Sequence, residues 1–157
     1  MRRTDREVKN FNEIAKILEK CDVCRLALND KDYPYIVSLN FGMTVENGII
    51  TLYFHSALEG TKLDLIRRDN RASFEADCEH KLVTDEEHGS CTMNYESVIG
   101  RGIIEFVPDE EKFAALKILM KHYHKEEFPF NEKVVPRTAV FKLTVIEMTG
   151  KRRLKIV

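Results

Sequence analysis

Ser56, Gly60, Thr61 and Lys62 lie in the stretch Leu52-Tyr-Phe-His-Ser-Ala-Leu-Glu-Gly-Thr-Lys-Leu-Asp-Leu-Ile-Arg-Arg-Asp-Asn70, whose pattern runs from a buried strand directly into a helix. Ser56 with Glu59 has capping-box spacing, and Leu63 with Ile66 gives the helix an apolar face. The turn then spans about Ser56 to Lys62. A helix start offers unpaired backbone N–H groups and a positive dipole end; Gly60 lets a ligand approach the backbone, and Thr61 and Lys62 add a hydroxyl and a charge. These are the parts of a phosphate site. The same residues also make an ordinary capped helix with a solvated lysine, because capping boxes are common.

Other chemistries have weaker patterns. Cys21-x-x-Cys24 has the spacing of half a zinc knuckle or of a redox dithiol, but lacks the second pair of the one and the βαβ setting of the other, which favours structural thiols. Cys78, His80, His88 and Cys91 match no standard zinc spacing, so no metal site is assigned. The sequence contains no Gly-x-Ser-x-Gly elbow, no Walker-type loop and no His-Glu-x-x-His helix. Covalent catalysis by a protein side chain is therefore unsupported, and a cofactor is expected to carry any reaction.

The elements that must position the turn follow from periodicity. Asn10 with Glu13, and Thr4 with Glu7, offer helix starts ahead of an apolar face formed by Val8, Phe11, Ile14, Ala15 and Leu18. Val23 to Leu28 and Pro34 to Phe41 read as a hairpin around Asn29-Asp-Lys-Asp32. Its second strand carries Ser38 and Asn40 on a face where a polar group needs solvent or a ligand as partner. Asn47-Gly48 marks a type I′ hairpin. Arg71 to Cys78 and Tyr95 to Val107 read as strands, with Gly100 and Gly102 marking a bulge or bend. Glu79 to Met93 between them reads as a long loop with the character of a lid. A helix from Pro108 to about His124, a break at Phe128-Pro-Phe-Asn131, a strand from Arg137 to Met148 and a basic tail Lys151-Arg-Arg-Leu-Lys155 complete the chain.

This pattern predicts a mainly β, α+β protein: a six-stranded antiparallel barrel, closed or split, with two to three peripheral helices in one domain over residues 1–157. With 157 residues at 43% hydrophobic, one substantial core is available. The 25 basic residues against 26 acidic ones leave no net field for nucleic acid or an anionic membrane, and Arg2, Arg3 and Arg6 read as a solvated helix end. No apolar run spans a bilayer and no signal peptide is evident, so a cytoplasmic protein with reduced cysteines is expected. Apolar residues on both faces of Val98 to Ile104 ask for cover from a second subunit.

Taken together, Met1-Arg-Arg-Thr-Asp-Arg-Glu7, Arg25-Leu-Ala27, Pro34-Tyr-Ile-Val-Ser-Leu-Asn-Phe41, Tyr53-Phe-His-Ser-Ala-x-x-Gly-x-Lys-Leu-Asp64 and Tyr95-Glu-Ser-Val-Ile-Gly-x-Gly102 resemble the nitroimidazole-resistance branch of the pyridoxamine 5′-phosphate oxidase-like flavoproteins. The resemblance covers most of the chain. It implies a split-barrel homodimer with FMN held between subunits. Ile36, Val37, Ser38, Leu39 and Asn40 would line the isoalloxazine and ribityl chain, His55 and Ser56 would sit beside the flavin, and Gly60, Thr61 and Lys62 would hold the phosphate. Tyr95, Glu96 and Ser97 would approach from the barrel strand, and His55 is the candidate catalytic residue. The chain has Asn40 where the pyridoxamine phosphate oxidases carry lysine and Tyr35 near where they carry arginine, and it contains no Trp. The implied activity is transfer of reducing equivalents from a nicotinamide donor through flavin to a small, nitroaromatic acceptor. The other readings are a flavin-binding or sensing module without turnover and a split barrel using deazaflavin or haem.

Overall fold

A computed structural model describes residues 3–124, 129 and 131–154. Alternating apolar residues and turn signals resolve there into one antiparallel sheet of eight strands: β1 (Glu7–Val8), β2 (Cys24–Leu28), β3 (Tyr35–Leu39), β4 (Gly42–Glu46), β5 (Ile49–Ser56), β6 (Arg71–Asp85), β7 (Ser90–Phe106) and β8 (Ala139–Arg153). The spatial order is β3-β2-β6-β7-β8-β5-β4, with β1 added on β8. The sheet does not close, so the barrel is split, and its two ends are β3 and β4, consecutive in the chain. Three helices accompany it: α1 (Phe11–Lys20), α2 (Thr61–Arg68) and α3 (Lys112–Tyr123).

Inward residues at period two build the core. Leu26, Phe41, Phe54, Phe74 and Phe141 are fully buried, and α1 adds Ile14, Ile17 and Leu18 while α2 adds Leu63 and Ile66. A second, smaller cluster of Val107, Ala115, Leu116 and Val140 forms where α3 packs beside Tyr53. Asn10 caps α1 as its spacing predicts, its Oδ1 accepting from the Glu13 amide at 3.2 Å. The Asn47-Gly48 hairpin has the expected positive φ at both residues, 51° and 77°.

Four expectations change. Thr4 starts only a 3-10 turn (Thr4–Arg6), and Val8 goes into β1 because its backbone finds Gly150 on β8. Glu79 to Met93 is no lid: β6 runs on to Asp85 and returns as β7 from Ser90. A register shift between Cys78 and Lys81, with Glu79 at φ 59°, breaks the alternation that would have marked the strand. The basic residues read as a tail extend β8, with Lys151, Arg152 and Arg153 opposite Ser97, Glu96 and Tyr95. The strand count is eight, where six were expected. The break expected at Phe128-Pro-Phe-Asn131 falls largely outside the described residues, as do Arg2 and Lys155.

Glycine is required where backbones touch. A Cβ on Gly102 would stand 2.2 Å from the Thr144 carbonyl oxygen, and one on Gly42 would stand 2.5 Å from the Leu119 Cα of α3. Backbone cannot step aside as a side chain can. Gly42→Ala should therefore lower the unfolding free energy by about 1–3 kcal/mol through overpacking of β4 against α3, read as a shift of the urea midpoint. An unchanged midpoint would show that α3 is not seated on β4.

Candidate functional site

The strand-to-helix turn is built differently from a capping box. β5 continues through Ser56 because its ladder with β8 does, pairing Ser56 with Ala139, and the Ser56 hydroxyl donates to the Ala57 carbonyl at 2.8 Å. Gly60 is the N-cap, at φ 136°, and no side chain caps the helix. Its carbonyl accepts from the Leu63 and Asp64 amides. The Thr61 and Lys62 amides, one position earlier, have no acceptor among the described residues. Lys62 is half-buried and makes no ion pair among them. A glycine turn, two open amides, a helix dipole and an unpaired ammonium thus meet at one point, which suits a phosphate. His55, just before, is exposed by area, yet desolvation by its neighbours holds its imidazole below the usual pKa.

The four candidate residues on β3, with Asn40 just after it, divide by strand alternation. Val37 and Leu39 pack on the core, while Ile36, Ser38 and Asn40 form an outward stripe. The register carries that outer face across the sheet: Ser38 lies opposite Arg25, Arg25 opposite Glu75, and Glu75 opposite Ile99. Arg25 bonds Glu75 and Asp77, and the His80 Nε2 lies 2.8 Å from Asp77. Desolvation, with Asp77 beside it, pushes the Glu75 carboxyl above its usual pKa. Nothing local in the sequence marks this cluster, whose members meet only through pairing of β2 with β6.

Tyr95 and Ser97 share the outer face, and the Lys151 ammonium lies 5.4 Å from the Tyr95 ring centre. Glu96 does not join them. It points inward, 1% exposed, and its carboxylate is held by Lys20 of α1 and Arg152 of β8. Arg152 also reaches Glu13 of α1 at 3.2 Å. The expectation that all three residues line one site is thus corrected for Glu96, because neighbours along a strand face opposite ways.

Cys21 and Cys24 are buried, and desolvation pushes Cys24 up to about 12 and Cys21 higher still, so both stay protonated. No group of three His, Cys, Asp or Glu side chains among the described residues is placed to hold a metal ion. Nor is any described helix long and apolar enough to cross a membrane.

Within one protomer the candidate residues do not all converge. β3 lies three ladder steps from β7, roughly 14 Å at the usual strand spacing, and β5 lies two steps from β7 on the other side. Between them the outer face exposes Ile36, Ile99 and Ile146, and a hollow of about 320 Å³ is lined by Ala27, Pro34, Ser73, Arg101, Ile103 and Ile146.

The fold is that of a split antiparallel barrel in which a glycine turn leads from the end of β5 into α2. The chain belongs to the pyridoxamine 5′-phosphate oxidase family, whose model matches residues 11–152. It is similar in structure to a candidate 5-nitroimidazole antibiotic resistance protein from Bacteroides thetaiotaomicron, at 36% identity and TM-score 0.79 over 92% of this chain and 85% of that one. A FAD-binding protein from Mycobacterium smegmatis is similar at 26% identity and TM-score 0.58, over 93% of this chain and 98% of that one. A FAD- and haem-binding protein from the same organism shares the fold at 15% identity and TM-score 0.80, over 96% and 74%. Among curated proteins no sequence matches.

The His55 surroundings predict that its imidazole titrates below the ordinary histidine value and is neutral at pH 7. A side-chain NMR titration placing it at or above that value would refute the desolvation.

Proposed function

We propose that the protein is a cytoplasmic FMN-dependent oxidoreductase that passes reducing equivalents from a nicotinamide donor to a small acceptor of the nitroaromatic class. The observation that carries this reading is the likeness, at 36% identity over 92% of the chain, to a protein named for 5-nitroimidazole antibiotic resistance. The likeness at 26% identity to a FAD-binding protein supports a flavin. The turn fits a flavin phosphate, because its two open amides and its lysine have no partner among the described residues.

FMN, when bound, supplies the two-electron chemistry that no side-chain constellation here provides. Lys62 and the Thr61 and Lys62 amides would hold the phosphate, and Gly60 would leave room for it at the backbone. Ile36 and Ser38, on the outward stripe of β3, would line the flavin. His55, neutral at pH 7, stands beside the site as a hydrogen-bonding group without bringing a second cation next to Lys62.

We further propose that a second copy of the chain covers the outer face, where exposed Ile36, Ile99 and Ile146 surround polar groups and where the candidate residues of one protomer stay apart. Light scattering of the flavin-loaded protein should return twice 18.3 kDa, and a monomer at micromolar concentration would remove the shared site.

Turnover is tested by following nicotinamide oxidation with a 5-nitroimidazole as acceptor. Rapid, acceptor-dependent oxidation is expected. Flavin binding without it would leave the non-catalytic module as the better reading. Lys62→Ala should weaken FMN by about 1.5–3 kcal/mol, roughly ten- to a hundredfold, and leave riboflavin, which has no phosphate, nearly unaffected. Equal losses for both ligands would mean that Lys62 does not serve the phosphate.

A further inference from the structure

Asn40 ends the outward stripe of β3, and its neighbours decide which way its amide faces. Nδ2 donates to the Asp22 carbonyl at 3.2 Å and to the Tyr123 hydroxyl at 3.4 Å. A backbone carbonyl only accepts, so the flipped amide would set two acceptors against each other. The Tyr123 hydroxyl is equally committed: it donates its proton to the Asp22 carbonyl at 2.8 Å and accepts from the Phe41 amide at 2.9 Å. Next to it, His122 bonds the Cys21 carbonyl at 2.7 Å and packs its ring 4.5 Å from that of Phe41, which fixes the last turn of α3.

The two acceptors stand side by side, so one Nδ2 proton of Asn40 is shared between them, and this fixes which way the amide faces. Oδ1, across the same amide plane, has no partner among the described residues, and Asn40 is exposed. We infer that Asn40 presents a fixed hydrogen-bond acceptor at the polar end of the β3 stripe, for an N–H or O–H donor on the bound flavin, and that Tyr123 is the positioning residue that holds it so. The inference rests on the flavin reading and adds to it. A flavin offers two such donors, the imide N–H of the ring and the hydroxyls of the ribityl chain. A freely rotating amide would exchange donor and acceptor at this point; a locked one keeps the acceptor there.

The test is a set of fluorescence titrations with riboflavin on the wild type, Asn40→Ala, Tyr123→Phe and the double variant, with thermal melts to confirm folding. Each single change should raise the Kd about three- to tenfold, as expected for one hydrogen bond. The double variant should lose no more than Asn40→Ala alone, because Tyr123 acts through Asn40. A merely structural tyrosine would instead add its loss to that of Asn40→Ala, and that result, or an unchanged Kd in either single variant, overturns the inference. Lumiflavin, which keeps the imide but lacks the ribityl chain, assigns the donor: a loss seen there too places it on the ring, and a loss confined to riboflavin places it on the chain.

Should Tyr123→Phe fail to fold, Asn40→Ala alone decides, since it leaves the Tyr123 bonds to Asp22 and Phe41 in place. Binding as tight as that of the wild type overturns the inference. Absence of any flavin binding by the wild type would remove the flavin reading and this inference together, which is distinguishable from normal wild-type binding with unaffected variants.

Discussion

The ladder that β7 makes with β6 on one edge and β8 on the other is the constraint that the rest of the molecule obeys. β7 pairs with β6 between Ser90 and Ile103 and with β8 from Tyr95 to Phe106, so from Glu96 to Ile103 both of its edges are taken and its alternation is locked. Two glycines make that closeness feasible. Gly100 lies under the Phe74 ring and Gly102 against the Thr144 carbonyl, where any side chain would force the strands apart. The register with β8 shifts by one residue beside Arg101, and the extra residue, Ile146, is left 67% exposed on the outer face. One backbone irregularity thus adds an apolar side chain to the surface proposed for the second subunit.

From that ladder follows the electrostatic tie that seats α1. Glu96 and Arg152 are paired residues of β7 and β8, so both side chains emerge on the inner face, and Lys20 and Glu13 of α1 complete a chain of alternating charge. A carboxylate 1% exposed is stable as an ion only with such partners. Lys20 remains 40% exposed, so the tie is worth less than a wholly dry pair, and its main effect is to define where α1 lies across the sheet. The buried Cys21 follows at the end of that helix, which accounts for a Cys-x-x-Cys spacing without redox or metal chemistry.

The two ends of the open sheet hold the candidate site. At the β5 end the ladder with β8 delays the helix until Gly60, leaving amides that an earlier side-chain cap would have taken. At the β3 end the last turn of α3 supplies Tyr123 and His122, which hold the corner between β3 and β4. An edge strand with an exposed stripe is ordinarily a hazard for pairing with other chains. Here its end is fastened by the bonds of Tyr123 to Phe41 and of Asn40 to Asp22.

Much of this was legible in the sequence because it depends on near neighbours. Asn10 capping α1, the Asn47-Gly48 hairpin, the β2–β3 hairpin and the small, β-rich fold all follow from spacing and turn chemistry, and the family follows from motifs in order. The glycine turn into a helix at Gly60 was also marked by local pattern. Tertiary structure decided what depends on partners far away in the chain. Whether 79–93 is a loop or a ribbon rested on backbone pairing that polar side chains do not advertise. Whether Ser56 caps a helix or ends a strand was settled by Ala139, and the inward turn of Glu96 by strand phase and by Lys20 and Arg152. The acceptor face of Asn40 depends on Asp22 and on Tyr123, 83 residues away. A sequence states which hydrogen-bonding groups exist; only the folded chain determines which of them are already spent.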